Sequence, residues 1–215
     1  MNTLTKRDAT VDVAKGIGIY LVVLGHCHPD NSILSVITSF HMPLFFFLSG
    51  LFLFNKPISA RDFLKKKAKT LLFPCLAFGI ILSTYSTVLD MLRPHPVIPY
   101  GLRYVGIFIN MRHGLFPGSL WFLPCLFLVE TMLYGMHRRI HSDFLRFIVI
   151  AILGSVGCAY NHLCIEGLPW SFDLALICMP FTELGFLAKK YNKLGYTNKR
   201  GGQIFYSSSY LSVAK

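Results

Sequence analysis

The stretch that decides the fold is Val11–His28, which has the sequence VDVAKGIGIYLVVLGHCH. Apart from Asp12, Lys15 and two histidines near its end, almost every residue in it is apolar. An α-helix rises about 1.5 Å per residue, so it needs about 20 such residues to cross a hydrocarbon core of about 30 Å. The stretch therefore predicts a transmembrane helix.

Further apolar runs follow along the chain. Tyr100–Asn110 is too short to cross a membrane and is expected to be a re-entrant or interfacial segment. We expect residues 1–190 to form a transmembrane domain and residues 191–215 a cytoplasmic tail. The pattern predicts an all-α, polytopic membrane helix bundle of about six transmembrane helices, the later ones being Ile33–Phe54, Thr70–Leu89, Leu120–Met136, Leu145–Leu163 and Phe172–Ala188.

The composition agrees with this prediction. Of the 215 residues, 53% are hydrophobic and only 14% are charged, against about 25% charged residues in soluble domains. Such a chain lacks the polar surface of a water-soluble globule, and disorder, a collagen-like repeat and a disulfide-stapled scaffold are excluded too. The net charge of +11 fits a membrane-lipid surface, because the basic residues interrupt apolar spans. We expect no nucleic acid partner.

The basic residues also predict the orientation, because Lys and Arg accumulate on the cytoplasmic side of a membrane. With the N-terminus inside, only Arg93, Arg103 and Arg112 of the 21 basic residues fall outside. Both termini and the Lys56–Lys69 loop are therefore predicted to be cytoplasmic. The chain is expected to be a multi-pass protein of a cell membrane.

The cysteines give no sign of a metal site or a redox pair. All six stand outside any C-x-x-C pair, and most of them lie inside apolar runs. We interpret them as small buried hydrophobic residues. No structural zinc or other metal is expected.

Polar residues in the first span form the densest candidate site. On a helical wheel Asp12, Lys15 and His26 fall within about 60° of one another, so they share a face. Lys15 and His26 are eleven residues apart, or about 16 Å along the axis, and cannot touch. One helix face thus presents a cation near the cytoplasm and an imidazole near the opposite end. Histidine is a common general base because imidazole titrates near neutral pH.

Other polar residues have two interpretations each. His41, with His26 and His28, places three histidines at the extracytoplasmic end, where they are either functional or interfacial caps. Glu130 is either functional or a lysine-paired packing group. The basic loop from Arg61 to Lys69 determines topology and is also able to hold an anionic cofactor.

These residues occur in recognisable blocks. Arg7–Ile19 (RDATVDVAKGIGI) and Val22–His26 (VVLGH) resemble the opening of the membrane-bound acyltransferase-3 family, especially its fucose 4-O-acetylase-like branch. His41–Gly50 (HMPLFFFLSG) is similar to the second block of that family. Leu120–Leu123 and Leu168–Trp170 resemble its later blocks, so that the resemblance covers about residues 7–188.

The resemblance implies an enzyme of the bacterial inner membrane that transfers an acyl group, usually acetyl from acetyl-CoA, to a hydroxyl of a surface or exported glycan. His26 matches the family's first-helix histidine and is the expected catalytic residue, as general base or as acyl carrier. Lys15 matches the family's upstream cation, usually Arg. The remaining expected site residues are Lys65, Lys66 and Lys67, with Lys15, for the acyl-CoA donor, and Asp12, His41, Trp121 and Glu130 for the acceptor.

Three other interpretations remain open at this point. Family members have about ten spans, so a six-span chain is expected to be C-terminally shortened, and a catalytically inactive family fragment is an alternative. A small membrane transporter would also place charges on one helix face, although no internal repeat is evident. A bis-histidine haem protein is a third alternative, although such sites need ligands from two facing helices and the candidate histidines here crowd one edge.

Overall fold

A computed structural model describes residues 9–27, 30–54, 58–92, 100–109, 120–164 and 167–191, and all regular structure in these ranges is helical. A π-helical turn, Ala68–Leu72, joins α3 to α4, and a 3₁₀ turn, Pro169–Ser171, precedes α8. The predicted all-α class is confirmed. The α-helices are α1 (Ala9–His26), α2 (Asn31–Gly50), α3 (Ala60–Lys67), α4 (Phe73–Met91), α5 (Tyr100–Ile109), α6 (Phe122–Arg139), α7 (Asp143–Leu163) and α8 (Phe172–Lys190).

Five helical segments within the described residues are long and apolar enough to cross a membrane, where the sequence predicted about six. The difference is α6, which was predicted to be a span over Leu120–Met136. Its 18 residues carry three charges, at Glu130, Arg138 and Arg139. The sidedness of the membrane stays a prediction. The five segments are Ala9–His26, Asn31–Gly50, Ala60–Met91, Asp143–Leu163 and Pro169–Lys190.

The helices divide into two compact units. The first unit contains α1, α2 and the part of α8 that begins at Phe181. The second unit contains α3 to α7 and the part of α8 that ends at Pro180. The predicted tail from residue 191 lies, beyond Tyr191, outside the described residues.

In the first unit α1 and α2 pack as an antiparallel pair. A Cβ added at Gly25 would lie 3.4 Å from Cγ2 of Ile37, and one at Gly18 would lie 2.9 Å from Cζ of Phe45. Near the start of α1, Val11 packs with two buried leucines, Leu48 and Leu51. The contacts thus run along most of both helices, with the start of one against the end of the other.

Helix α8 packs on α2 at two glycines. A Cβ at Gly50 would collide with the backbone carbonyl of Thr182, and one at Gly185 would collide with that of Phe47. Beside this contact, the rings of Phe54 and Phe186 meet edge to face, with their centroids 5.4 Å apart. Small residues allow such close approach of helix backbones in membranes, where dispersion contacts replace the hydrophobic effect as the main source of association.

The basic segment predicted as a loop over Lys56–Lys69 is helical from Ala60 onward, so that prediction is wrong for most of the segment. Ser59 caps α3: its Oγ accepts a hydrogen bond from the Asp62 amide at 3.2 Å and donates one to Asp62 Oδ2 at 2.7 Å. This S-x-x-D arrangement resembles a capping box, which satisfies free amides at a helix start. The lysines therefore occupy fixed positions on a helix.

Helix α6 packs against α3 through Tyr134. Its ring stacks on Phe63 with centroids 4.2 Å apart, and its hydroxyl donates a hydrogen bond to the carbonyl of Ile58 at 2.9 Å. Phe63 is buried. This aromatic contact fixes the position of α3 relative to α6.

The short helix α5 is held against α4 by polar side chains. Arg103 and Asp90 form a buried ion pair, and the hydroxyls of Tyr104 and Thr84 lie 3.2 Å apart. Ten residues rise only about 15 Å, so α5 is too short to cross the membrane, as predicted. A buried charge needs a partner, which explains the pairing of Arg103.

The turn before α8 is unusual. Trp170 and Ser171 have positive φ angles of 58° and 52°, which non-glycine residues rarely adopt. The indole Nε1 of Trp170 donates a hydrogen bond to the carbonyl of Phe108 on α5 at 2.7 Å, and its ring meets that of Phe127 on α6. Trp170 thus links three helices of the second unit.

The cysteines differ in part from the prediction of buried residues. All six are within the described ranges, and none of them forms a disulfide. Cys75, Cys125 and Cys178 are buried, as predicted. Cys27, Cys158 and Cys164 are exposed, so the prediction was wrong for half of them. Cys27 and Cys164 directly follow the last residues of α1 and α7, where packing against other helices ends.

Candidate active site

The polar face of α1 lies beside its packed face. The helix is continuous from Ala9 to His26, so each residue is rotated by about 100° from the one before it along the whole helix. Asp12, Lys15 and His26 therefore share one side, as predicted. Residues that contact α2 form a separate stripe, roughly a quarter turn away, at Val11, Gly18 and Gly25. Asp12 and His26 are exposed, and Lys15 is half-buried. The polar face is therefore accessible next to the α1–α2 contact.

The continuous helix also confirms that Lys15 and His26 are far apart. The eleven residues between them correspond to about 16 Å along the axis. Asp12 lies one turn from Lys15, so it belongs to the same end of α1 as Lys15. Of the predicted acceptor-binding residues, Asp12 is therefore too distant to touch a group that is bound by His26.

His26 is the last residue of α1 and is exposed. Its imidazole is therefore open to molecules at this end of the helix. Because Gly25 packs near Leu34 and Ile37, His26 lies at the level of the first third of α2. His28, which the sequence grouped with it, is outside the described residues.

His41 lies deeper along the helix pair than His26. The α1–α2 register puts it about five residues, or about 7 Å, farther from this end of the unit. Its Nδ1 donates a hydrogen bond to the carbonyl of Ile37 at 2.6 Å, because a carbonyl oxygen only accepts. This bond orients the half-buried ring. Because Nδ1 carries the donated proton, Nε2 is the acceptor nitrogen of the neutral ring.

At the other end of α1, Lys15 contacts an aromatic ring. Its Nζ lies 4.9 Å from the centroid of Phe52, in the turn that follows α2. Nζ of Lys189, near the end of α8, lies 5.7 Å from the same centroid. Lys189 was considered in the sequence only as a basic residue that determines topology. Its proximity to Phe52 depends on the packing of α8 against α2, which no local pattern indicates.

In the second unit, two of the predicted site residues bind each other. Nζ of Lys67 lies 2.7 Å from Oε1 of Glu130. Glu130 is only 3% exposed and Lys67 is 20% exposed, so this ion pair is largely removed from solvent. The finding agrees with the lysine-paired interpretation of Glu130. Lys67 is consequently less available to an external anion than its neighbours.

The remaining candidates of the second unit are closer to the surface. Lys65 and Lys66 are exposed on α3. Trp121 directly precedes α6, is half-buried, and meets the ring of Phe122 edge to face with centroids 6.3 Å apart. The candidates are thus divided: one unit holds Asp12, Lys15, His26 and His41, and the other holds Lys65, Lys66, Lys67, Trp121 and Glu130.

Comparisons with known proteins agree with the sequence blocks. Neither the curated proteins nor the solved structures gave a match to the chain. The model of the acyltransferase-3 family, described as an acyltransferase domain, matches residues 8–214. The match covers nearly the whole chain, including α1 with Lys15 and His26 and α2 with His41. The chain therefore belongs to the acyltransferase-3 family and carries its acyltransferase domain.

Proposed function

We propose that the chain transfers an acetyl group from acetyl-CoA to a hydroxyl of a surface or exported glycan. The observation that carries the proposal is the arrangement on α1, where one continuous helix has a cation at one end and an exposed histidine at the other. An acyl-CoA is an anion and a sugar hydroxyl is neutral, so the two ends suit two different substrates. Family membership supports acyl transfer as the reaction class.

The donor is assigned to the Lys15 end. Lys15 attracts the phosphates of the donor. Lys65 and Lys66, which the sequence also assigned to the donor, are exposed on α3 in the other unit and are kept as separate candidates. Lys67 is assigned a smaller part because Glu130 already binds its ammonium group. For the same reason we assign Glu130 to the support of α3 and not to direct contact with the acceptor.

The acceptor is assigned to the His26 end. His26 removes the proton of the hydroxyl while the hydroxyl oxygen attacks the thioester carbonyl. The new C–O bond replaces the C–S bond, and the proton passes from the imidazole to the CoA thiolate. His41 is proposed to orient the acceptor. Trp121 belongs to the other unit and Asp12 to the opposite end of α1, so neither is assigned a part in this step.

The experiment compares His26→Ala with His162→Ala, which removes an exposed histidine on α7 outside the proposed site. Membranes containing each variant at equal abundance are incubated with ¹⁴C-acetyl-CoA, and base-labile label in the glycan fraction is measured. Loss of a general base lowers the rate by about 10²–10⁴-fold. We expect this loss for His26→Ala and near-normal transfer for His162→Ala.

Two results would contradict the proposal. Transfer retained by His26→Ala would remove the catalytic role of this histidine. Binding of acetyl-CoA by the parent chain without any transfer would favour the inactive family fragment instead.

A further inference from the structure

Two cations approach one aromatic ring in the first unit. Nζ of Lys15 lies 4.9 Å and Nζ of Lys189 lies 5.7 Å from the centroid of Phe52. Both lysines are half-buried, and they come from different helices, α1 and α8. Each distance is short enough for a cation–π contact, whose limit is about 6 Å.

The two ammonium groups lie around the same ring. Through that ring their nitrogens are at most about 11 Å apart, the sum of the two distances. Salt screens exposed charges over about 8 Å at physiological ionic strength, and partial burial reduces this screening. An anion that lies near both nitrogens therefore gains two favourable charge interactions.

The surrounding structure holds the three side chains in place. Phe52 is 37% exposed, whereas its neighbours Leu51 and Leu53 are buried. The amide of Phe52 donates to the carbonyl of Ser49 at 3.0 Å, which keeps the turn next to the end of α2. The glycine contact between α2 and α8 fixes the distance from this turn to Lys189. A site on packed helices is more precise than a site on loops.

We propose that Lys15, Phe52 and Lys189 form a phosphate-binding site. Lysine binds phosphate as a point charge with three donors, and here two lysines approach from separate helices. The phosphate comes from the acyl donor or from a lipid headgroup, since both have the same chemistry. Assignment to the donor rests on the proposed function, whereas the phosphate site itself does not.

The first experiment measures binding of pyrophosphate and of CoA to the full chain in phosphatidylcholine nanodiscs. Lys189→Gln is compared with Lys190→Gln, because Lys190 is the adjacent lysine and its Nζ lies 5.5 Å from a different ring, that of Tyr191. We expect Lys189→Gln to weaken pyrophosphate binding about tenfold, the effect of one hydrogen bond between charged groups. Lys190→Gln should change binding less than twofold. Equal affinities in the two variants would overturn the site.

A second experiment uses the unaltered chain, so it does not depend on the folding of a variant. An amine-reactive reagent labels the lysines, and mass spectrometry follows each one with and without pyrophosphate. Pyrophosphate should slow the labelling of Lys15 and Lys189 and leave that of Lys190 unchanged. Equal protection of all three lysines, or none, contradicts the proposal.

The same measurements separate the two phosphate sources. If Lys189→Gln weakens both pyrophosphate and CoA, the site belongs to the acyl donor. If it weakens pyrophosphate alone, and phosphatidylglycerol in the nanodisc protects Lys189 from labelling, the site stands and its ligand is a lipid headgroup. If the parent chain transfers no acetyl group but pyrophosphate still slows the labelling of Lys189, the proposed function is wrong and the phosphate site is supported.

Discussion

An alanine substitution in the contact between α2 and α8 and one on an open face of α1 should have opposite effects on stability. A Cβ at Gly50 would collide with the carbonyl of Thr182 and lie 3.0 Å from the amide nitrogen of Phe186. Both neighbours are backbone atoms, so relief requires the two helices to separate. Gly16, by contrast, has nothing within 4 Å of its added Cβ. Gly50→Ala should therefore destabilise the protein, and Gly16→Ala should not.

The magnitude follows from two opposing terms. Alanine in place of glycine favours a helix by about 1 kcal/mol, whereas overpacking costs about 1–3 kcal/mol and more when a backbone must move. We expect a net loss of about 2 kcal/mol for Gly50→Ala, which lowers the Tm by about 4–8 °C in a domain of this size. Gly16→Ala should raise the Tm by about 2–4 °C.

Thermal unfolding of both variants in detergent, followed by circular dichroism, measures this difference. Gly185→Ala serves as the reciprocal test, because its Cβ would meet the carbonyl of Phe47 on the other helix. It should behave like Gly50→Ala. The reasoning is refuted if Gly50→Ala and Gly16→Ala unfold within about 2 °C of each other.

The remaining predictions concern the second unit and the topology. Lys67→Met and Glu130→Gln should each lower the free energy of unfolding. The double variant should lose less than the sum of the two single losses, with a coupling of about 1–3 kcal/mol in a double-mutant cycle of thermal unfolding. Additive losses would contradict the ion pair. Ser59→Ala should lower the free energy of unfolding by about 1 kcal/mol, while Ser59→Asp, which keeps a capping oxygen, should lower it less in the same assay. In a chain without other cysteines, a membrane-impermeant maleimide should label the exposed Cys27 in intact cells and leave Lys66→Cys unlabelled; the reverse pattern would contradict the predicted orientation.

Much of the candidate site on α1 was predictable from the sequence. The apolar run indicates a continuous helix, and a continuous helix fixes both the shared face and the separation of Lys15 from His26. The antiparallel contact with α2 follows from the short connection between the two helices. Local rules suffice here because each distance depends on one helix or on two neighbours in the chain.

Local rules were insufficient for two segments in which charged residues occur within a helix. The lysines of α3 led to the prediction of a loop, although Ser59 and Asp62 supply a start signal for a helix. In α6 the apolar run suggested a span, but three charges lie within the helix, and one of them, Glu130, is paired with Lys67. The sequence indicated that Glu130 is unusual within an apolar run, and the structure shows that Lys67 is its partner.

The sequence by itself determined the all-α membrane class, the family and the two polar ends of α1, since hydropathy, helix rise and motif spacing act within short segments. Only the tertiary structure decided which distant groups meet: Lys67 with Glu130, Trp170 with the carbonyl of Phe108, and Lys189 with the ring that also faces Lys15. The physical reason is that apolar side chains are equally well solvated by lipid and by other helices. Close backbone contacts such as those at Gly50 and Gly185 therefore select the helix partners, and these contacts depend on the shapes of both helices together.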